Sequence, residues 1–390
     1  MLGHGCGPAG KADLKMTGRE RVRAAFDRTG SMEVGVVAAY ESLLIRDQFT
    51  AISGLPWWNA DKSVLAQAFA RATGLEWFRV EPAPSREERS RRRYEHGPDG
   101  VWLVDERAGT RFHLVEPIPG GGNTEVARSK HGDASGPPTT EAAIDRLIPL
   151  EQPFDRARFH AEGRHDDAAS IRATTDLLLY GHVKSPVWSF YGLFGYEAMM
   201  ELLGGNEELA SYSGDRLLHN VVQEVHAIAA LGADAVWIEE CMTDQISPGL
   251  FARVNLPILQ QVVGAIRAAG MRSVYYYCGN PNNRFDEILD SGADALHFEE
   301  GKKGFTIDIE DIARRVDGRR VIFGNLDAIG ILEHGSEDAL RSEIRRQLDA
   351  GRRNGNRFVM STGSPVTPAT PVERVRRYAD LVRALDGGAV

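Results

Sequence analysis

A nine-residue pattern occurs twice in this chain, and it restricts the fold more than any other feature. Gly232-Ala233-Asp234-Ala235-Val236-Trp237-Ile238-Glu239-Glu240 matches Gly292-Ala293-Asp294-Ala295-Leu296-His297-Phe298-Glu299-Glu300. Each copy places a helix-ending glycine before a short apolar strand that closes on two carboxylates. Between the copies lies Arg272 to Cys278, rich in β-branched and aromatic residues and stopped by Gly279-Asn280-Pro281. A helical segment from Arg284 to Leu289 follows it. The unit is therefore strand, helix, strand, with chemistry-bearing residues at the strand ends. Period-two alternation puts Tyr276 and Cys278 on one face and Tyr275 and Tyr277 on the other.

The rhythm extends through the second half of the chain. Apolar strand-length runs at Val187–Phe190, Ala235–Ile238, Ser273–Cys278, Ala295–Phe298, Val321–Phe323 and Phe358–Met360 alternate with amphipathic segments. Strands separated by helices pair in parallel through right-handed crossovers. With earlier strands near Val34 and Leu177, the count is compatible with eight. The expected fold is α/β, a (β/α)8 barrel with an N-terminal extension and a β-hairpin insertion. An open doubly wound sheet is the alternative, but no glycine fingerprint follows an early strand. In a barrel, Cys278, Asn280, Glu299 and Glu300 lie at the carboxyl-end face, where such barrels keep their sites.

The expected organisation is a flexible leader over residues 1–15 and one barrel domain over 16–390, with an insertion at about 95–140. Thr17 and Glu20 stand in a capping-box relation at the start of a helix. Glu33 to Tyr40 is a strand candidate. Leu43 to Trp58 carries Arg46, Asp47 and the paired Trp57 and Trp58, aromatics suited to a ligand pocket or to a core. Val101 to Val115 alternates about Ala108-Gly109-Thr110, a hairpin signal. Gly120 to Asn123 lacks the lysine and the strand–turn–helix setting of a phosphate loop.

The formal net charge of −9 over 390 residues argues against a nucleic-acid surface. Arg86 to Arg93 is interleaved with Glu87 and Glu88, the composition of a solvated helix face. Three cysteines, Cys6, Cys241 and Cys278, make no disulfide framework, which points to a reducing cytoplasm. No segment is expected to span a membrane.

Several motifs carry a resemblance to a family. Thr17-Gly18-Arg19-Glu20-Arg21-Val22, Gly324-Asn325-Leu326-Asp327, and Ser361-Thr362-Gly363-Ser364-Pro365 followed by Thr370-Pro371-Val372-Glu373 resemble the uroporphyrinogen decarboxylase superfamily. The similarity runs from Met16 to Leu385 and is strongest after Phe190. It implies a (β/α)8 barrel. True uroporphyrinogen decarboxylases carry an arginine-rich porphyrin-binding segment and a histidine in the last-strand turn. Here Val36 to Arg46 is not such a segment, and Ser364 stands at the histidine's position. A genuine uroporphyrinogen decarboxylase is therefore not expected.

The second branch of the superfamily is the corrinoid-linked methyltransferases. Its thiol-methylating members look like H-x-C…C, a zinc site that makes the acceptor a thiolate. Here Tyr276 stands for the histidine, Cys278 keeps the first cysteine, and Ser364 replaces the second. Tyrosine and serine are poor partners for zinc, so that site is disfavoured; a substitute set would combine Cys278 with His297, Glu240 or Glu299.

The resemblance then implies methyl transfer between methylcobalamin and an acceptor without a thiolate, tetrahydrofolate before a thiol. Catalytic candidates are Glu240, Tyr276, Cys278, Glu299 and Asp327; binding candidates are Asn280, His297, Glu300, Asn325 and Ser364. Asn325, Asp327, Asn280 and a carboxylate from Glu240 or Glu299 would hydrogen-bond the pterin edge, with a tyrosine of the 275–277 run on its ring. Asp327 is equally placed to cap the following helix. The chain has no D-x-H-x-x-G stretch, so cobalamin is expected on a separate corrinoid protein. A homodimer is compatible with these features. The rival expectation is a decarboxylase or lyase acting on a small carboxylic acid in the same pocket.

Overall fold

The structure, a computed structural model, describes residues 16–58, 61–120, 136–301 and 304–387. The leader expected at 1–15, the 121–135 part of the glycine-rich and polar stretch, and Lys302 and Lys303 lie outside the described residues.

Eight parallel strands form the central sheet. They are β1 (Gly35–Val36), β2 (Trp77–Arg79), β6 (Leu178–Lys184), β7 (Ala235–Glu240), β8 (Arg272–Tyr277), β9 (Ala295–Phe298), β10 (Val321–Phe323) and β11 (Phe358–Met360). Their spatial order is β1-β11-β10-β9-β8-β7-β6-β2. The two ends of that order meet: Glu76 N–H donates to Val36 O (2.9 Å), and the Trp77 indole donates to Ala38 O (2.9 Å). The sheet is thereby a (β/α)8 barrel, with helices interleaved between its strands. Between β2 and β6 the chain adds an antiparallel sheet of β3 (Arg92–Gly97), β4 (Gly100–Asp105) and β5 (Thr110–Leu114), with the turn at Ala108-Gly109 joining its last two strands.

Val187–Phe190 is not a strand. It belongs to a helix, Pro186–Phe194, capped by Ser185, whose hydroxyl accepts from Trp188 N–H. The Ser-Pro pair is a helix start, and the strand lies just before it, at Leu178–Lys184. The Glu33–Tyr40 candidate shortens to Gly35–Val36, since Tyr40 takes a left-handed conformation (φ 52°) and a helix begins at Glu41. The stretch Pro248–Ala268 does reach the length and apolarity of a membrane span (mean hydropathy 1.2), although half of that window is buried inside the fold. A helix packed on a barrel has that composition, because its apolar stripe meets the sheet.

Side chains of the strands alternate between two layers. Leu178 and Tyr180, Ala235 and Trp237, Val274 and Tyr276, Val321 and Phe323 fill the barrel interior with Trp77 and Phe26. Leu179, Val236, Ile238, Tyr275, Tyr277 and Leu296 face the helices. The repeated Gly-Ala-Asp has a structural role at the amino-terminal face. Gly232 and Gly292 both adopt φ 74° after their helices. The following aspartates then accept backbone N–H groups of the preceding strands: Asp234 from Leu179 (3.1 Å) and Asp294 from Ser273 (2.9 Å). Asp234 also receives Arg19 (2.8 Å) and Arg172 (2.7 Å).

Glu76 fastens the seam. Its Oε2 accepts Val36 N–H (3.0 Å), and its Oε1 accepts Arg21 Nε (3.0 Å) and Arg383 Nη2 (3.0 Å). One buried carboxylate so joins β1 and β2 to the first and last described helices. Removing its charge takes the buried counter-charge from Arg21 and Arg383 and sets an amide NH2 among their donors and that of Val36. Glu76→Gln is expected to lower stability by about 3 kcal/mol, measured by equilibrium urea unfolding with the slope unchanged.

Candidate active site

At the carboxyl-end mouth, the inward positions of successive strands place His182, Glu239, Cys278 and Glu299 above the aromatic filling of the barrel. Tyr40 joins them because its left-handed backbone turns the chain over the mouth. The Tyr40 hydroxyl donates to Glu239 Oε1 (2.7 Å), and His182 Nε2 lies 3.0 Å from Glu239 Oε2. Burial alone would raise the Glu239 carboxyl, but its bonds from His182 and Tyr40 outweigh that and hold it below the usual range. Glu239 is therefore an ionised carboxylate in a nearly dry setting. Burial, followed by the charges around it, keeps Tyr40 a phenol by pushing its pKa well up.

The floor beneath is aromatic. Trp237 meets Tyr40 edge-on (4.7 Å between ring centres), lies 4.8 Å from Tyr276 and 5.3 Å from His182. Tyr276 donates to Gly363 O (2.9 Å), and burial keeps it a phenol. His297 lies deeper, wholly buried, 2.9 Å from Thr362 O through Nε2, with the Trp237 indole donating toward Nδ1 (3.4 Å). Burial lowers its pKa to about 4, so it is a neutral ring whose two nitrogens are both engaged.

Two thiols lie side by side at the rim. Cys241, hydrogen-bonded to Cys278, also points at Glu239 Oε1 (3.8 Å). The bond with Cys278, and then burial, push the Cys241 pKa well up. Gly279 (φ 130°) lets the chain leave β8 above Asp244, where any Cβ would come within 2.4 Å of the carboxylate carbon. Asn280 follows, its N–H donating to Asp244 (3.2 Å) and its Oδ1 accepting from Asn282 N–H (3.0 Å).

Several candidates from the sequence have other employment. Glu240 points away from the mouth, into the layer between strands and helices. It accepts from Ser185 (2.7 Å), Asn255 (2.8 Å) and Tyr275 (3.2 Å). The tyrosines on its side, Tyr275 and Tyr277, are likewise remote from a mouth ligand, which leaves Tyr276 of that run. Asn325 donates to the backbone carbonyls of Glu299 (3.2 Å) and Ile307 (3.1 Å), a brace under the rim. Asp327 caps the next helical segment through Ile329 N–H (2.9 Å) and Gly330 N–H (2.8 Å). Glu299 shares the face of His297, while Glu300 lies against Gly363, where a Cβ would come within 2.6 Å of its Oε2. Ser364 is buried.

The zinc positions of the thiol-methylating pattern do not fit the metal, since Tyr276 is a phenol committed to Gly363 O. Nor does the substitute set assemble around Cys278: His297 is engaged at both nitrogens and Glu240 faces the helices. Among the described residues, no three His, Cys, Asp or Glu side chains are disposed to hold a metal ion.

Tyr40, His182 and Cys241 are site residues that the sequence did not single out, and of the Glu239–Glu240 pair the named candidate was Glu240, whereas Glu239 is the one that faces the mouth. Strand parity from Tyr276 and His297 was the available signal for Glu239 and His182. The position of Tyr40 rests on one left-handed residue and had none. Chemically, an ionised carboxylate orienting an imidazole beside a phenol can hold and pass one proton.

The chain matches the family model described as uroporphyrinogen decarboxylase (URO-D) over residues 114–385. It belongs to that family. Uroporphyrinogen decarboxylase of Xanthomonas campestris pv. campestris (strain B100) is 29% identical over 204 residues, 47% of this chain; the match spans 55% of that relative's length. Its counterpart from Nostoc punctiforme is 25% identical over 311 residues, 75% of this chain and 80% of the relative. A methyltransferase from Methanosarcina mazei superposes with a TM-score of 0.61 at 19% identity, over 95% of this chain and 99% of that one. That methyltransferase and this chain share the barrel fold.

The Glu240 carboxyl has its pKa raised by burial to about 7, against bonds from Ser185, Asn255 and Tyr275 that lower it. The folded state thus holds a proton that the unfolded chain releases, so stability falls as pH rises from about 4.5 toward 7. Glu240→Gln removes a decline of up to about 3 kcal/mol across that window. Urea unfolding at pH 4.5 and pH 7 should give a smaller difference for the variant than for the wild type.

Proposed function

We propose that this URO-D family protein is a cytoplasmic methyltransferase. It moves a methyl group between methylcobalamin, presented by a separate corrinoid protein, and a small acceptor, tetrahydrofolate in preference to a thiol. The observation that carries this is the Tyr40–Glu239–His182 constellation at the mouth. Transfer to the N5–H of tetrahydrofolate forms an N–CH3 bond and releases one proton. Thiol transfer instead needs the metal positions that Tyr276 and Ser364 occupy here. The corrinoid supplies an activated methyl group and keeps the bonding electron pair as the methyl leaves.

In this scheme His182 takes the N5 proton, and Glu239 stabilises the imidazolium that forms. Tyr40, donating to Glu239, fixes the carboxylate's orientation. Trp237 and Tyr276 close the floor against water and offer faces to a flat ring. The shared fold with the Methanosarcina mazei methyltransferase supports methyl transfer on this framework. Two adjacent thiols outside any disulfide, Cys241 and Cys278, suit a reducing compartment. A homodimer is compatible with the scheme.

The names of the sequence relatives favour a second reading, a decarboxylase. Against uroporphyrinogen itself stands the charge of the mouth: Glu239 and Glu299 face it, and an octa-acid needs converging cations. A small carboxylic acid remains the substrate under that reading.

The test is the visible spectrum of methylcobalamin under anaerobic conditions with enzyme and tetrahydrofolate. Enzyme-dependent loss of the methylcobalamin band with methyltetrahydrofolate forming is expected. Release of carbon dioxide from a small acid without corrinoid turnover would replace this reading by the decarboxylase. Glu239→Gln is expected to lower kcat by about 10²–10⁴-fold with the circular-dichroism melting curve retained.

A further inference from the structure

A side cleft opens beside the mouth, between the helices Glu41–Asp47, Phe49–Ser53 and Lys62–Thr73 and the end of β2. Its volume is about 280 Å³, and its walls include Ile45, Phe49, Trp57, Leu65 and Phe78. It runs into a second cleft of about 690 Å³ that shares Arg46, Phe49, Trp57 and Pro117. Trp57 and Trp58 are separated here: Trp57 lines the cleft, while Trp58 packs on Tyr94 (5.1 Å) and His96 (4.8 Å) of the inserted sheet. Tyr40 and Glu41 are chain neighbours, the first bonded to Glu239 and the second lining the cleft. The two spaces therefore adjoin.

Three cations line the smaller cleft, and two are answered. Arg46 pairs with Asp47 (2.7 Å), and Lys62 lies 3.9 Å from Glu81. The third, Arg79, stands at the carboxyl end of β2. Among the described residues its guanidinium makes no hydrogen bond and no ion pair, and its Nε is buried without a partner. Glu41 feels its charge but makes no hydrogen bond or ion pair with its guanidinium. Glu41 spends its oxygens on the Tyr180 hydroxyl and the Arg79 backbone N–H (2.7 Å), and burial raises its pKa to about 7. A buried N–H donor without an acceptor costs free energy that a bound acceptor recovers. A guanidinium fork matches a carboxylate in geometry as well as charge.

We infer that Arg79 is the anchor for a carboxylate of the acceptor, and that the aromatic cleft beside it holds an aryl ring joined to that carboxylate. This deepens the methyltransferase proposal and rests on it. Tetrahydrofolate has that chemistry, its reacting pterin being followed by a benzoyl ring and a glutamate. The ring would pack between Phe49 and Trp57 while the pterin reaches the mouth. Arg79 touches no reacting atom in this arrangement, so it governs affinity and positioning.

The probe is 4-aminobenzoyl-L-glutamate, which lacks the pterin, titrated calorimetrically into wild type, Arg79→Gln and Arg79→Lys. Wild type should bind it. Arg79→Gln should weaken binding by at least tenfold and Arg79→Lys by less, with melting temperatures alike. A tail-free tetrahydropterin should bind all three proteins equally. The inference is overturned if wild type does not bind the probe, or if Arg79→Gln binds it as wild type does. Methyl transfer is followed in parallel. An Arg79-dependent probe site in a protein that transfers no methyl group overturns the reaction and supports the cleft. Transfer to tetrahydrofolate with the same KM in wild type and Arg79→Gln overturns the cleft and leaves the reaction standing.

Discussion

Closure of the barrel at the β1–β2 seam is the constraint on which the rest depends. β1 has two residues and little ladder to offer, so the seam cannot be held by strand pairing alone. A buried carboxylate makes up the deficit. Glu76 accepts the free N–H of Val36 and draws Arg21 and Arg383 onto the same point, from helices at opposite ends of the described chain. An ion pair with water excluded is expensive to break once made. The same seam sets the direction in which the chain leaves β1, and so carries Tyr40 over the mouth and Glu41 into the side cleft.

Given a closed barrel, strand parity assigns every other side chain. Adjacent carboxylates on one strand then have opposite fates. Glu239 faces the mouth and is held ionised by a histidine and a tyrosine. Glu240 faces the helices and has its pKa raised by burial to about 7. Two identical groups, one residue apart, thereby become an ionised carboxylate at the mouth and a packing element. The difference is the complete burial of Glu240, whose donors are all neutral, against the basic side chains of His182 and Lys184 beside the slightly less buried Glu239. Glu41 is a third case, with an elevated pKa beside an arginine that it does not pair.

Much of the fold was legible in the residues. Ala295–Phe298, Val321–Phe323 and Phe358–Met360 are strands with the limits that their composition implies, and the Thr17–Glu20 capping box forms as its spacing requires. Val187–Phe190 misled because an apolar run of four has no period long enough to tell strand from helix; Ser185-Pro186 was the better guide. The site was less legible. Asn325 and Asp327 carry the family resemblance, yet their side chains brace and cap backbone, and polar residues at strand ends do this as often as they bind ligands. Of the polar side chains at the mouth, Tyr276, Cys278 and Glu299 were singled out in advance, whereas Tyr40, His182 and Cys241 were not.

By itself the sequence determined the alternation of strands and helices, the parallel sheet that this demands, and the end of each strand at which chemistry would gather. Those are local properties: periodicity, caps and turn residues act within a few positions. Only the tertiary structure decided that Tyr40, His182 and Glu239 share hydrogen bonds, that Cys241 meets Cys278, and that the Arg79 guanidinium makes no hydrogen bond or ion pair among the described residues. Such contacts join residues dozens to hundreds of positions apart. They follow from the inward or outward sense of each strand about a common axis, which exists only once the barrel has closed.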